Sequence, residues 1–363
     1  MARIAIAGAG VAGRLMAWRL AHAGHSVSVF DPADGPCPPP PAHTGGGSPG
    51  GRSGAAGFSA AGMLSPIAEL DHADARIARL GWRSLPRWQA IGAALGGVEP
   101  LVRTQGSLLL AHGSDRGAAA RVLARIAAVP EAPAPEPLDA AQQRALEPAL
   151  APGLLAWHLP GEGQVLPGEL LQALAEQAPG VRWHWGTAIG SVDPGRLRDS
   201  HGREHRCELA VDTRGLGARP QVALRGVRGE LVWLHAPGVP LARPLRLLHP
   251  RHRVYLVPRP GGRIVVGASE IESEDTSAPS LRSTVELLSA AHSLVPELAE
   301  ARIERLDSHL RPARTDHLPF VHHESGLLRL NGLFRHGWLI APALVQDALA
   351  AAGLENPHDT ATA

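Results

Sequence analysis

Three glycines and one carboxylate near the start of the chain stand in an order that suits a phosphate ligand. Gly8-Ala9-Gly10-Val11-Ala12-Gly13 spells GxGxxG. In such a turn Gly8 permits the tight reversal, and Gly10 lets the main chain approach a pyrophosphate. Gly13 lets the following helix pack closely on the strand before it. The amides of Val11 and Ala12 open that helix, so its unpaired N–H groups and positive dipole end would face the phosphates. Asp31 closes the next predicted strand, where a carboxylate accepts hydrogen bonds from an adenosine ribose and disfavours a 2′-phosphate. The motif alone is weak evidence; its place between strand and helix gives it weight.

NAD and FAD share this fingerprint, and later segments separate them. Leu209-Ala210-Val211-Asp212 is a strand running into Arg214, Gly215 and Gly217. Residues 332–342 make a third glycine turn entering an apolar helix. A plain NAD dehydrogenase needs no such set of returns, so the reading favours FAD.

Other chemistry is excluded by what is missing. All 35 basic side chains are arginine. Without lysine there is no Schiff-base nucleophile, pyridoxal phosphate anchor or Walker-A lysine. Carboxylates and phosphates must be met by arginine, backbone amides or helix ends. Gly46, Ser48 and Gly50 match GxSxG literally, but proline and glycine flank them where a nucleophile elbow needs a strand and a helix. His201 and His205, with Cys207 beyond, surround Gly202 in what reads as a hairpin turn, where that spacing does not put both rings on one face. His322 and His323 are adjacent and would point apart on a strand. No metal site is expected. Cys37 and Cys207 are the only cysteines and are far apart, so neither a disulfide framework nor a CxxC site is expected.

The elements that must position these residues follow from periodicity. Residues 3–7 and 25–30 read as strands around a helix at 11–23, which Gly24 stops. A Pro/Gly-rich stretch at 35–54 reads as a surface loop. A helix or helix pair is expected over 71–95, broken near Pro86. Further helices are expected at 117–128, 140–146, 168–177 and 280–294. A strand-rich half covers 181–185, 209–212, 229–235, 253–258 and 263–267, and another strand lies at 327–330.

The chain has 363 residues and a formal net charge of +1, with acidic and basic residues interleaved. That length suits two domains better than one. The charge pattern lacks the basic stripe of a nucleic-acid binder, and no run approaches the roughly 18 apolar residues of a membrane span. The early glycines and arginines make a poor signal peptide, so a cytoplasmic protein is expected.

Several motifs together are similar to the D-amino acid oxidase family of flavoproteins, on the glycine oxidase side that serves thiamine synthesis. The opening extends to GxGxxGxxxAxxLxxxG with Ala17, Leu20 and Gly24. Ser59-Ala60-Ala61-Gly62-Met63-Leu64-Ser65-Pro66, followed by Glu69, resembles the family's AAGMLxP segment, which lies along the flavin ring. Tyr255-Leu256-Val257-Pro258-Arg259 and Val265-Val266-Gly267-Ala268-Ser269 resemble paired strands of its substrate domain. Leu310-Arg311-Pro312, with Asp316, Leu318 and Pro319, matches G-x-RP-x-x-x-D-x-x-P. Residues 332–342 match the closing loop GHxRNGxLLAP. Leu310, Leu333 and His336 depart from a usual glycine, histidine and asparagine.

The resemblance implies an α/β fold: a Rossmann-type FAD-binding domain with an inserted, mainly antiparallel β-sheet substrate domain. The FAD domain would take residues 1–80, 150–222 and 309–363, and the substrate domain 81–149 and 223–308. Arg311 would hold the substrate carboxylate by a bidentate pair, Arg335 would serve that carboxylate or the flavin rim, and Tyr255 would wall the pocket. FAD would be held non-covalently by Gly8, Gly10, Val11, Ala12, Gly13 and Asp31, by Ala61, Gly62 and Met63, by Gly215, and by Leu333, Phe334, His336, Gly337, Trp338 and Leu339. The implied reaction is oxidative deamination of glycine, a small amine or a D-amino acid by hydride transfer to flavin N5. It needs no side-chain acid or base if the amine arrives neutral. The acceptor would be O2 or a quinone. A quinone-linked amino acid dehydrogenase, a secondary-amine oxidase and a non-catalytic FAD-binding protein are the alternatives, and a homo-oligomer stays open.

Overall fold

The computed structural model describes residues 1–38, 54–249 and 253–354. The GxSxG match and most of the Pro/Gly-rich stretch lie outside the described residues.

The apolar strand Arg3–Ala7 lies at the centre of a six-stranded sheet. It pairs in parallel with Ser26–Phe30 on one side and Leu209–Asp212 on the other. Leu327–Asn331 continues the parallel set, and Phe320–Glu324 closes that edge antiparallel. Arg182–His184 extends the other edge in parallel, so five strands point their carboxyl ends the same way, which is where open α/β sheets bind ligands. Helices Val11–His22 and Gly337–Ala351 cover one face, and their buried Leu15, Met16, Ile340 and Val345 share its core.

A second sheet has eight strands in the order Arg302–Ala313, Arg225–His235, Arg263–Gly267, Arg253–Arg259, Leu245–Leu248, Ser107–Ala111, Leu155–Leu159 and Glu136–Leu138. Only Ser107–Ala111 with Leu245–Leu248 is a parallel pair. Helix Leu281–Leu294 packs on one face through Leu287, Ala291 and Leu294 against Val232, Leu256 and Val266. The other face carries Leu231, Tyr255, Val257 and Val265, because side chains alternate along a strand. That face turns toward the first sheet.

Among the differences from the sequence reading, three have a clear physical basis. The expected break at Pro86 is absent: Ala75–Leu95 is one helix, capped by Asp74, whose carboxylate accepts from the Arg76 amide at 2.8 Å. Proline removes one helical N–H, but the buried row Ile77, Ser84, Trp88, Ile91 continues across it and packing outweighs the loss. Pro342 in the facing helix is compensated directly. Its missing N–H leaves the Trp338 carbonyl without its helical donor, and Trp88 Nε1 donates to that oxygen at 2.6 Å. Second, the twelve-residue strand Arg302–Ala313 was not anticipated, because its RIERLDSHLRPA sequence lacks an apolar alternation; it is an edge strand. Third, sheet membership cuts across the expected divisions. Leu155–Leu159 joins the eight-stranded sheet, and Ala75–Leu95 and Arg302–Ala313 run through the divisions at 80 and 308.

Candidate active site

The turn after the first strand is built so tightly that only glycine fits. Gly8 has φ +100°, and a Cβ on Gly13 would stand 1.9 Å from the Gly8 carbonyl oxygen. Thr213 Oγ1 donates to the Ala7 and Gly8 carbonyls, joining this turn to the end of the neighbouring parallel strand. Asp31 braces it from the other side, accepting from the Ala9 amide at 2.6 Å and the Ala33 amide at 2.9 Å. The helix Val11–His22 then starts at Gly10 with no side-chain cap, so its first amides point outward.

In front of this turn a cavity of about 600 Å³ runs between the two sheets. It is lined at one end by Gly8, Gly10, Val11, Ala12 and Asp31, and along its length by Ala61, Gly62, Met63 and Gly215. Leu333, Phe334, His336, Gly337, Trp338 and Leu339 line it from the closing turn. Gly13 stands behind the wall, as its contact with Gly8 requires. Phe334 has φ +51°, a left-handed conformation uncommon for a non-glycine residue, in the turn that enters the last helix. The dimensions and chemistry fit a dinucleotide: a glycine cradle, outward helix amides, a carboxylate at the strand end, and an elongated, mostly apolar channel beyond them.

At the far end of the channel the eight-stranded sheet supplies polar groups. Arg246, Tyr255, Gly267 and Leu231 stand opposite one another across four adjacent strands. Gly267 makes room for the phenol, since a Cβ there would lie 2.7 Å from Tyr255 Oη. Burial pushes the Tyr255 hydroxyl above its ordinary value, so it stays neutral. Arg311 projects from the edge strand into the same space and donates to the Ser269 carbonyl at 3.0 Å. Among the described residues no carboxylate lies within ion-pair distance of it.

Arg335 has the opposite environment. Its Nη1 donates to Glu270 at 2.9 Å and its Nη2 to Glu69 at 3.3 Å. Burial opposes its charge, but Glu69 and Glu270 more than restore it. Glu69 also accepts from Arg246 at 2.9 Å and lies 3.3 Å from His336 Nδ1. Although burial works against its ionisation, Arg335 and Arg246 hold Glu69 well below the carboxylate range. His336 is pushed down to about 3, by burial first and then by Arg335, against the pull of Glu69, so its imidazole is neutral. Arg311, Arg335 and Tyr255 thus share one chamber, but Arg335 is committed to two carboxylates while Arg311 is not.

Several participants were not foreseen. Glu270 follows directly on the Val265–Ser269 motif and could have been included with it. Gly229 lies inside a strand, the usual sign of a close approach, and a Cβ on it would meet the Arg311 guanidinium. Arg246 interrupts an apolar strand. Arg259, fully desolvated and lowered to about 10, donates to Gln164 Oε1 and to the Ala61 carbonyl, fixing the segment beside the cavity. Glu162 is fully buried in a turn. It accepts from the Ile67 and Ala68 amides and from Ser107 Oγ, and so anchors the short helix Pro66–Glu69 that presents Glu69. Nothing in the sequence around Glu162 marks it.

The histidine groups do other work. His205 Nε2 lies 3.0 Å from Asp199 Oδ2 across the hairpin that turns at Gly202, and His322 and His323 are on the edge strand Phe320–Glu324. Among the described residues no three potential metal ligands gather, and no helix is long and apolar enough to cross a membrane. Cys37 and Cys207 are unpaired.

Comparison with known proteins gives a consistent result. The family described as FAD dependent oxidoreductase matches residues 3–350. A putative thiamine biosynthesis oxidoreductase ThiO from Rhizobium etli is 38% identical over 343 residues, covering 94% of each chain. The crystal structure of glycine oxidase from Bacillus cereus superposes with a TM-score of 0.80 at 24% identity, over 100% of this chain and 98% of that one. Glycine oxidase from Geobacillus kaustophilus gives 0.78 at 26% identity, over 98% and 96%.

Proposed function

Because the chain belongs to the family of FAD-dependent oxidoreductases, we propose that it oxidises glycine or another small amino acid at the carbon bearing the amine. FAD is its cofactor and, when bound, supplies the two-electron acceptor for that C–H bond. The observation that carries the substrate reading is Arg311: a guanidinium inside the cavity, without a carboxylate partner among the described residues, in a space kept open by Gly229. A planar fork of donors is suited to a carboxylate.

The chain's own residues bind and orient. The glycine turn, with the amides of Gly10, Val11 and Ala12, would take the diphosphate, and Asp31 the ribose. Ala61, Gly62 and Met63 on one side, and Gly215 with the turn from Leu333 to Leu339 on the other, would enclose the ring system without a covalent bond. Arg311 would fix the substrate carboxylate, with Tyr255 forming the wall beside it. Arg335, held by Glu69 and Glu270, keeps the chamber in shape and does not take the carboxylate. Among the described residues of the chamber, Tyr255 and His336 are neutral and desolvated, and the carboxylates of Glu69 and Glu270 are tied to cations. The amine must therefore arrive neutral, and positioning accounts for what the protein contributes.

With dioxygen as the final acceptor, glycine, oxygen and water give glyoxylate, ammonia and hydrogen peroxide. The 38% identity to a relative named for thiamine biosynthesis supports a role supplying that pathway. The test is peroxide formation by the FAD-loaded protein with glycine, sarcosine and D-alanine, each compared with methylamine. Peroxide from the amino acids and little from methylamine supports the reading. Flavin reduction without peroxide would exclude dioxygen as the acceptor, and equal rates with methylamine would remove the role given to Arg311.

A further inference from the structure

The charges around the substrate end of the cavity are unequally committed. Arg246, Arg311 and Arg335 line it, with Glu69 and Glu270. Glu69 takes Arg246 and one amine of Arg335, and Glu270 takes the other amine of Arg335. Two cations are neutralised by two anions, and Arg311 is left over. A single carboxylate on Arg311 completes the balance.

We propose that Glu270 determines specificity: by occupying Arg335, it closes a second carboxylate site and restricts the cavity to substrates carrying one carboxylate. The proposal rests on the reading that Arg311 holds the substrate carboxylate. A second carboxylate brought into this chamber would find its nearest cation already paired and two like charges beside it. Burying an anion without a partner is costly, and like charges in a low-dielectric site repel strongly. Specificity of this kind comes from what the site rejects as much as from what it holds. The geometry makes Glu270 the adjustable member. Its side chain is 33% exposed, against 10% for Glu69, so it stands toward solvent and Glu69 stands deeper. Removing the Glu270 charge leaves the Arg335 fork with only Glu69, through Nη2, and frees Nη1 to face a ligand. Glu69 serves Arg246 as well, so it cannot neutralise both guanidinium groups.

Acetate and malonate are suitable probes, since they carry one and two carboxylates and cannot be oxidised here. Their affinities for the FAD-loaded protein can be read from the change each causes in the flavin absorption spectrum. The wild-type protein is expected to bind malonate no more tightly than acetate. In Glu270→Gln the malonate-to-acetate affinity ratio should rise tenfold or more. A ratio that rises less than threefold overturns the proposal. Malonate binding tenfold tighter than acetate in the wild type also overturns it, and needs no variant, so the wild-type result decides if the variant fails to take up FAD. Arg311→Met separates this from the underlying reading. Loss of acetate binding in Arg311→Met together with an unmoved ratio in Glu270→Gln removes only the role of Glu270. Acetate binding that survives in Arg311→Met removes the reading itself.

Discussion

The guanidinium of Arg311 rests against the α-carbon of Gly229: a Cβ built there would stand 2.2 Å from Nη2 and 2.3 Å from Cζ. Gly229 faces His309 across the two strands, so Arg311, opposite Val227, reaches diagonally over the glycine to enter the cavity. The absence of a side chain at 229 is what lets the arginine lie flat. The obstructing atoms belong to the end of a flexible side chain, so Gly229→Ala should fold and retain FAD while displacing the guanidinium. The expected outcome is a rise in KM for glycine of about tenfold, one misplaced charged hydrogen bond being worth about 1.5 kcal/mol or more. Flavin content and steady-state kinetics check it; an unchanged KM would mean that the position of Arg311 does not matter.

Arg311→Met removes the fork outright. Hydrogen bonds to charged groups contribute roughly 1.5–3 kcal/mol each, so KM for amino acid substrates should rise by about 10- to 100-fold or more. Arg311→Lys should fall between, because it keeps the charge and loses the bidentate geometry. Turnover of methylamine, which has no carboxylate, should respond far less, and the ratio of the two substrates is the informative readout.

Gly13→Ala tests the cofactor end. Here the clash is with backbone, 1.9 Å from the Gly8 carbonyl oxygen, and no side chain can swing aside. The variant should be isolated without flavin or fail to fold. Recovery of a fully loaded yellow protein would show that the turn can open, contrary to its role as a rigid cradle.

Glu162 makes a pH-dependent contribution to stability. Burial raises its carboxyl from 4.5 to about 7 despite hydrogen bonds from Ser107, Ala68 and Ile67. A raised acid favours folding while it is protonated. Its stabilisation is complete below pH 4.5 and is lost as pH rises through 7, a difference of roughly 3 kcal/mol. Glu162→Gln keeps an acceptor for the two amides and cannot ionise. Thermal melts at pH 5 and pH 8 should therefore show the wild type losing stability relative to this variant at the higher pH. Parallel behaviour at both pH values would contradict the assignment.

The cofactor end was legible in the sequence because its requirements are local: Gly8, Gly10, Gly13 and Asp31 lie within one strand–turn–helix–strand unit, and each type is needed for its own backbone reason. The closing turn from Leu333 to Leu339, which lines the same cavity, was reached through its resemblance to the family's closing loop. The substrate chamber was only half legible. Arg311, Arg335 and Tyr255 were found through motifs, but their different commitments were not, since these depend on Glu69, Arg246 and Glu270 arriving from three other segments. Glu162 gave no signal at all, because a buried carboxylate in a turn reads as a solvated one. The long helix through Pro86 was misread because a local breaker was weighed without the packing against Trp338 that overrides it.

On this reading an amino acid held by Arg311 delivers its electrons to FAD. The most direct measurement is the visible spectrum of the FAD-loaded protein under anaerobic conditions as glycine, sarcosine and D-alanine are added in turn. The oxidised flavin bands should bleach with at least one of them, and Arg311→Met should bleach only at concentrations about 10- to 100-fold or more higher. Bands that persist with all three, or an Arg311→Met protein that bleaches as readily as the wild type, would contradict it.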